Sequence, residues 1–175
     1  MTEEDFREFF AATFTDVWGF ARRRTDSGPD ADDVTAETFS VAWRRRADIP
    51  GRDARLWLFG VARNVLANHR RAVQRQRNLH LRLATTHAEP VAHERDSLMW
   101  EALAELSEED RELLLMRAWD GLGIADIATV LGITAANVSS RLYKARARLL
   151  RDIERRDPSG AAHVQSESRG KGSDR

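Results

Sequence analysis

Gly132 interrupts two stretches of helical spacing, and that interruption constrains the fold more than any other position in the chain. Before it, Ile124, Ile127, Ala128 and Leu131 fall at i, i+3, i+4 and i+7, the pattern of one packed face on a short helix. After it, Val138, Leu142, Ala145 and Leu149 recur every three or four residues. Glycine enters the left-handed conformation of a helix C-cap cheaply, and Thr134 is placed to cap the next helix by accepting hydrogen bonds from its free N–H groups. A sharp turn between two helices follows. Ser139, Ser140, Tyr143 and Lys144 lie away from the second stripe, so one face packs and the other is free to read. This is the layout of a DNA-reading helix-turn-helix, whose second helix reaches base edges in the major groove while basic side chains hold phosphates.

Charge supports a polyanionic partner only when it is counted by segment. The formal net charge is zero over 175 residues, but residues 1–43 carry a net of −6, residues 44–82 +9, residues 83–133 −8 and residues 134–156 +5. Two acidic-then-basic blocks suggest two units, each with a basic surface for phosphates and an acidic surface for another partner. Solvated helix faces are the plainer reading. A hydrophobic content of 42% permits a core, and the length allows one ordinary domain or two small ones. The absence of cysteine excludes disulfides, thiolate metal sites, cysteine nucleophiles and direct thiol sensing. The acidic opening MTEEDFREFF lacks the features of a signal peptide, and no apolar run approaches membrane-spanning length. A reducing cytoplasm is the expected setting, with no membrane insertion.

Helical periodicity dominates, and no alternating strand pattern emerges, so the expected fold is all-α. A first helix spans about Glu4 to Arg24 and ends before the turn-forming Asp26, Ser27, Gly28 and Pro29. A second starts at Asp30, with Asp32 and Asp33 complementing its dipole, and continues through Phe39 to Trp43. A third runs from about Asp53 to Arg71 or beyond, with Leu58, Val61, Val65 and Leu66 inward. Residues 76–96 lack a sustained apolar stripe and read as a flexible linker. Beyond it, Met99, Ala102, Leu103 and Leu106 form a helical stripe, and Ser107 with Asp110 opens a further helix through Trp119 as a weak capping box. The expected organisation is a first domain over 1–75, a linker over 76–96, a second domain over 97–155 and a disordered tail over 156–175.

The segments DADDVTAETFSVAWRR (30–45) and RLWLFGVARNVLANHRR (55–71) resemble the core-binding and promoter-melting regions of bacterial sigma factors. With residues 106–149, the order is similar to that of the extracytoplasmic-function (ECF) group, which keeps only sigma regions 2 and 4. The resemblance covers about four-fifths of the chain. It implies a protein that binds core RNA polymerase, recognises −35 and −10 promoter elements and helps melt the duplex. It also implies an anti-sigma factor as partner.

Carried onto this chain, the resemblance places the core polymerase surface at Asp30, Asp32, Asp33, Glu37 and Phe39. An acidic stripe there suits a basic partner by electrostatic steering. Dipole complementation and solubility would explain the same carboxylates, and Phe39 and Trp43, four residues apart, read as core rather than contact, with Phe39 able to do some of each. On the third helix Asn64, Asn68 and Arg71 share a face, with Arg63 and Arg70 on the neighbouring one. Amides there can read bases and arginines can hold phosphates. In the family an asparagine matching Asn64 helps line a pocket for a base flipped from the −10 element. Trp57 and Phe59 could stack on bases or belong to the core, and Gly60 could admit another backbone or be merely small.

For the second domain, the resemblance puts Ser139, Ser140, Tyr143 and Lys144 at base-facing positions and Arg141, Arg146 and Arg148 at phosphates. Family members often carry a basic residue where this chain has Ser139, so a bidentate contact to guanine is missing there. No catalytic constellation is visible and no cofactor is implied. His69, His80, His87, His93 and His163 lack metal-ligand spacing and read as linker or surface residues. A free-standing helix-turn-helix regulator leaves the acidic helix and the Asn64 face without a role. A helical nucleic-acid enzyme would need catalytic acids or metal ligands that the sequence lacks.

Overall fold

The computed structural model describes residues 1–83 and 98–156, and within them seven helices and no strand. The expected linker beyond Leu83 and the expected tail beyond Arg156 lie outside the described residues. The described residues of 1–93 together with 125–133 form one compact unit, and those of 94–124 with 134–175 form a second.

In the first unit, α1 (Glu3–Arg22), α2 (Gly28–Arg44) and α3 (Ala54–Leu83) pack on one another pairwise. α1 starts with a full capping box. The Thr2 N–H donates to the Asp5 carboxylate at 2.7 Å and the Asp5 N–H donates back to the Thr2 hydroxyl at 3.2 Å; hydrogen bonding from the Thr2 backbone N–H, and then from its side chain, holds the Asp5 carboxyl below the usual carboxylate range. α2 begins earlier than the expected Asp30. Ser27 is its N-cap, accepting from the Asp30 N–H, and Pro29 sits in the first turn, where a missing N–H leaves no helical bond unmade. α3 continues to Leu83, past the point where the linker was expected to begin.

The core of this unit is built from Val17, Phe20, Val34, Phe39, Phe59 and the expected Leu58, Val61, Val65 and Leu66. Phe20 and Phe59 lie 5.4 Å apart between centroids, and the buried Arg24 guanidinium sits 3.6 Å above the Phe20 ring. Thr13, Thr35 and Thr38 are buried too, each donating its hydroxyl to the carbonyl four residues earlier, so these three hydroxyls are satisfied inside the core.

In the second unit, α4 (Leu98–Glu105) and α5 (Glu108–Ala118) both pack on α7 (Ala135–Arg156). Ala102, Leu103 and Leu106 are buried as expected, whereas Met99 is exposed in the first turn of α4. Ser107 caps α5 by accepting from the Asp110 N–H, but the Asp110 carboxylate turns to α7, so only half of the expected box forms. α6 (Ile124–Leu131) groups with the first unit although it adjoins α7 in sequence. Ile127 is its buried residue, and Ile124, the helix's first residue, is exposed.

Gly132 has φ +67° and Thr134 accepts from the Asn137 N–H at 3.2 Å, as the turn between α6 and α7 requires. A Cβ at Gly132 would meet no atom within 4 Å. Gly132→Ala is therefore a purely backbone perturbation, expected to lower stability by about 1–2 kcal/mol in urea unfolding. No change would mean that the turn relaxes to negative φ at no cost.

Candidate polymerase and promoter surfaces

The acidic face of α2 is held in place more tightly than its spacing suggested. Asp30 accepts from the Ser27 hydroxyl at 2.6 Å and lies 3.3 Å from His69 Nε2, so this histidine reaches the stripe from α3. The Trp18 indole N–H donates to Asp32 at 2.8 Å, and Glu37 pairs with Arg44 at 2.9 Å. Asp33 is exposed. Among the described residues no group of three or more histidine or carboxylate side chains is poised for a metal ion.

Beside this stripe runs a feature that the sequence reading missed. Phe6, Phe10, Phe14 and Trp18 of α1 line an open groove with Phe39 and Trp43 of α2. Phe39 is buried at its floor, 4.5 Å from Phe10, while Trp43 is 37% exposed at the rim, edge-on to Phe6 at 5.0 Å. Phe39 is thus a core residue that also shapes the groove, and Trp43 is not core. The signal was present: the four α1 residues recur every four positions, a ridge along one side of a helix.

On α3, Arg63, Asn64, Asn68 and Arg71 are exposed, while Val65 and Leu66 between them are buried. Arg71 donates to Asn68 Oδ1 at 2.8 Å, which orients that amide. Arg70 is half-buried and donates to the Arg24 carbonyl at 3.3 Å, tying α3 to the end of α1. Phe59 is fully buried against Phe20, so it cannot stack on a base, whereas Trp57 is half-buried with the Arg45 guanidinium 5.5 Å over its ring. A Cβ at Gly60 would meet nothing within 4 Å, so the glycine serves no close approach within the fold.

On α7 the division between packed and free faces is clean. Val138, Leu142 and Ala145 are buried, and Ser139, Ser140, Lys144 and Arg146 are exposed, with Tyr143 at 77%. Arg141 and Arg148 stand apart from these. Arg141 pairs with Glu109 at 2.6 Å, and Arg148 bonds the Asp110 carboxylate. Further along, Arg156 pairs with Glu101 at 2.7 Å and Glu105 at 3.4 Å.

Residues 9–76 match the family described as Sigma-70 region 2, and residues 97–149 match Sigma-70, region 4. Over 160 residues the chain is 36% identical to the ECF RNA polymerase sigma factor SigC of Mycobacterium tuberculosis, covering 87% of this chain and 85% of that one. The chain belongs to the ECF sigma factors. It is an RNA polymerase sigma factor, and the match across both regions disfavours a free-standing regulator. Among solved structures, the chain is similar to the sigma factor RpoE in complex with the anti-sigma factor NepR from Bartonella quintana, with TM-score 0.71 at 22% identity over 86% of this chain and 98% of that one. It is also similar to CnrH in complex with the cytosolic domain of CnrY, with TM-score 0.61 at 26% identity over 85% of this chain and 86% of that one. As an ECF sigma factor it acts in transcription initiation with core polymerase and promoter DNA. No helix among the described residues is long and apolar enough to cross a membrane.

Proposed function

We propose that this sigma factor divides its tasks among three helices. The exposed face of α2, with Asp30, Asp32, Asp33, Glu37 and the Phe39 groove, docks on core polymerase. α3 accepts the −10 element through Asn64 and Asn68, with Arg63, Arg70 and Arg71 in support. α7 reads the −35 element through Ser139, Ser140, Tyr143 and Lys144, with Arg146 at a phosphate. Residues 1–75 and 97–155 act as the two working domains, joined by 76–96. The chain supplies address and melting in the cytoplasm, while bond-forming chemistry stays with the polymerase. RpoE of Bartonella quintana is found in complex with the anti-sigma factor NepR, and this chain's groove and acidic stripe suit an anti-sigma partner.

The observation that carries the reading is the exposure of Asn64 and Asn68 on α3, outside the buried apolar stripe. Amides so placed are open to unpaired bases, and Asn68 is already oriented by Arg71. Run-off transcription with purified core polymerase tests it. The wild-type protein is expected to direct promoter-specific transcripts, and Asn64→Ala to weaken them most on linear duplex and least on a template already opened over the −10 element. Equal transcripts from the variant on both templates would remove Asn64 from melting.

A further inference from the structure

The basic side chains of α7 fall into two kinds. Lys144 and Arg146 are exposed and make no ion pair among the described residues. Arg141 and Arg148 instead reach to the start of α5. Arg141 lies 2.6 Å from Glu109 and 4.0 Å from Asp110, and Arg148 bonds the other Asp110 oxygen. The two carboxylates differ in setting. The Glu109 side chain is 78% exposed, where an ion pair contributes little. Asp110 is 6% exposed as a residue, with its N–H donating to the Ser107 hydroxyl, so its backbone is fixed by the helix cap. An enclosed carboxylate is stable as an anion only with cations and hydrogen bonds around it, and breaking such a pair leaves a bare charge.

Arg141 and Arg148 are two helical turns apart, so they meet the α5 carboxylates from the same side of α7. Two attachment points separated along a helix restrain its rotation about its own axis, which one cannot do. The base-facing positions Ser139, Ser140, Tyr143 and Lys144 lie on the same two turns. Base readout depends on donor and acceptor geometry, so a small rotation of the helix degrades it while leaving looser phosphate contacts intact.

We propose that Asp110, assisted by Glu109, is a positioning residue for −35 recognition: through Arg148 and Arg141 it sets the angle at which α7 presents its base-facing side chains. The inference rests on the reading of α7 as the duplex-reading helix. It gives Arg141 and Arg148 an orienting role in place of the phosphate role that the resemblance implies.

The test uses the full chain assembled with core polymerase, bound to a promoter duplex carrying either its −35 element or a scrambled one, over a series of salt concentrations. The set comprises Asp110→Ala, Arg148→Ala, the double variant, and Asp110→Asn, which keeps the shape and serves where the alanine variant fails to fold. Each single variant is expected to lower the native-to-scrambled preference by about tenfold, the double no further than either single. The slope of log affinity against log salt is expected to stay at the wild-type value. Additive losses, with the slope shallower by about 0.9 in Arg148→Ala, would make Arg148 a phosphate contact and overturn the proposal. A wild-type protein indifferent to scrambling would instead overturn the reading of α7 and the proposal with it.

Discussion

Phe20→Ala is expected to remove about 3–5 kcal/mol from the packing of α1, α2 and α3. The ring is 0% exposed, lies 5.4 Å from Phe59 between α1 and α3, and carries the Arg24 guanidinium 3.6 Å above it. Truncation would leave a cavity at the meeting of the helices. It would also strip the cation–π contact from Arg24, which is itself buried and would keep its bond to the Phe20 carbonyl at 3.1 Å. A small domain is stable by only about 5–15 kcal/mol, so this single change consumes a large share. Urea unfolding followed by circular dichroism gives the value, and promoter opening should fall in parallel with the folded fraction. A loss below about 1 kcal/mol would mean that the neighbouring helices close over the gap and that Phe20 does not anchor the unit.

Lys144→Ala is expected to weaken binding to the preferred −35 sequence by about 1–3 kcal/mol, roughly 5- to 150-fold, and to relax preference at one position. Lys144 is the only lysine or arginine among the four base-facing positions, the others being Ser139, Ser140 and Tyr143. It is exposed and has no carboxylate to compete for it among the described residues. Binding of the holoenzyme to a panel of −35 variants separates the outcomes. A loss shared equally by all sequences, with a salt slope shallower by about 1, would assign Lys144 to a phosphate.

What sequence periodicity revealed was most of the inner faces of α3 and α7, while Met99 and Ile124 of the stripes on α4 and α6 are exposed. Val138, Leu142 and Ala145 are buried as their spacing implies, and Gly132 adopts the left-handed turn that its position demanded. Spacing along one helix says nothing of what lies across from it. That is why Arg141 and Arg148 looked like any other basic residues of the row, although Glu109 and Asp110 of α5 meet them. The same limit hid the hydrogen bond from Trp18 to Asp32, fourteen residues away. The early start of α2 was missed for a local reason: Ser27, Gly28 and Pro29 are turn formers in the abstract, yet a serine cap followed by proline is also how a helix begins. The extension of α3 was hidden because its last turns lack an apolar stripe. Arginine, glutamine, leucine and alanine are strong helix formers, and propensity carries the helix where packing does not.

The aromatic groove between α1 and α2 gives the free chain a liability that its composition conceals. Phe10, Phe14, Trp18 and Trp43 all show more than a third of their surface to solvent on one small domain, and contiguous apolar surface of that kind promotes self-association. Any partner that covers the rings withdraws them from that fate and, binding only the folded form, adds stability in proportion to the logarithm of its own concentration over its Kd. The amount of usable protein in a cell would then track the supply of whatever fills the groove, so that a holder which silences the chain would also keep a reserve of it in solution, ready for release.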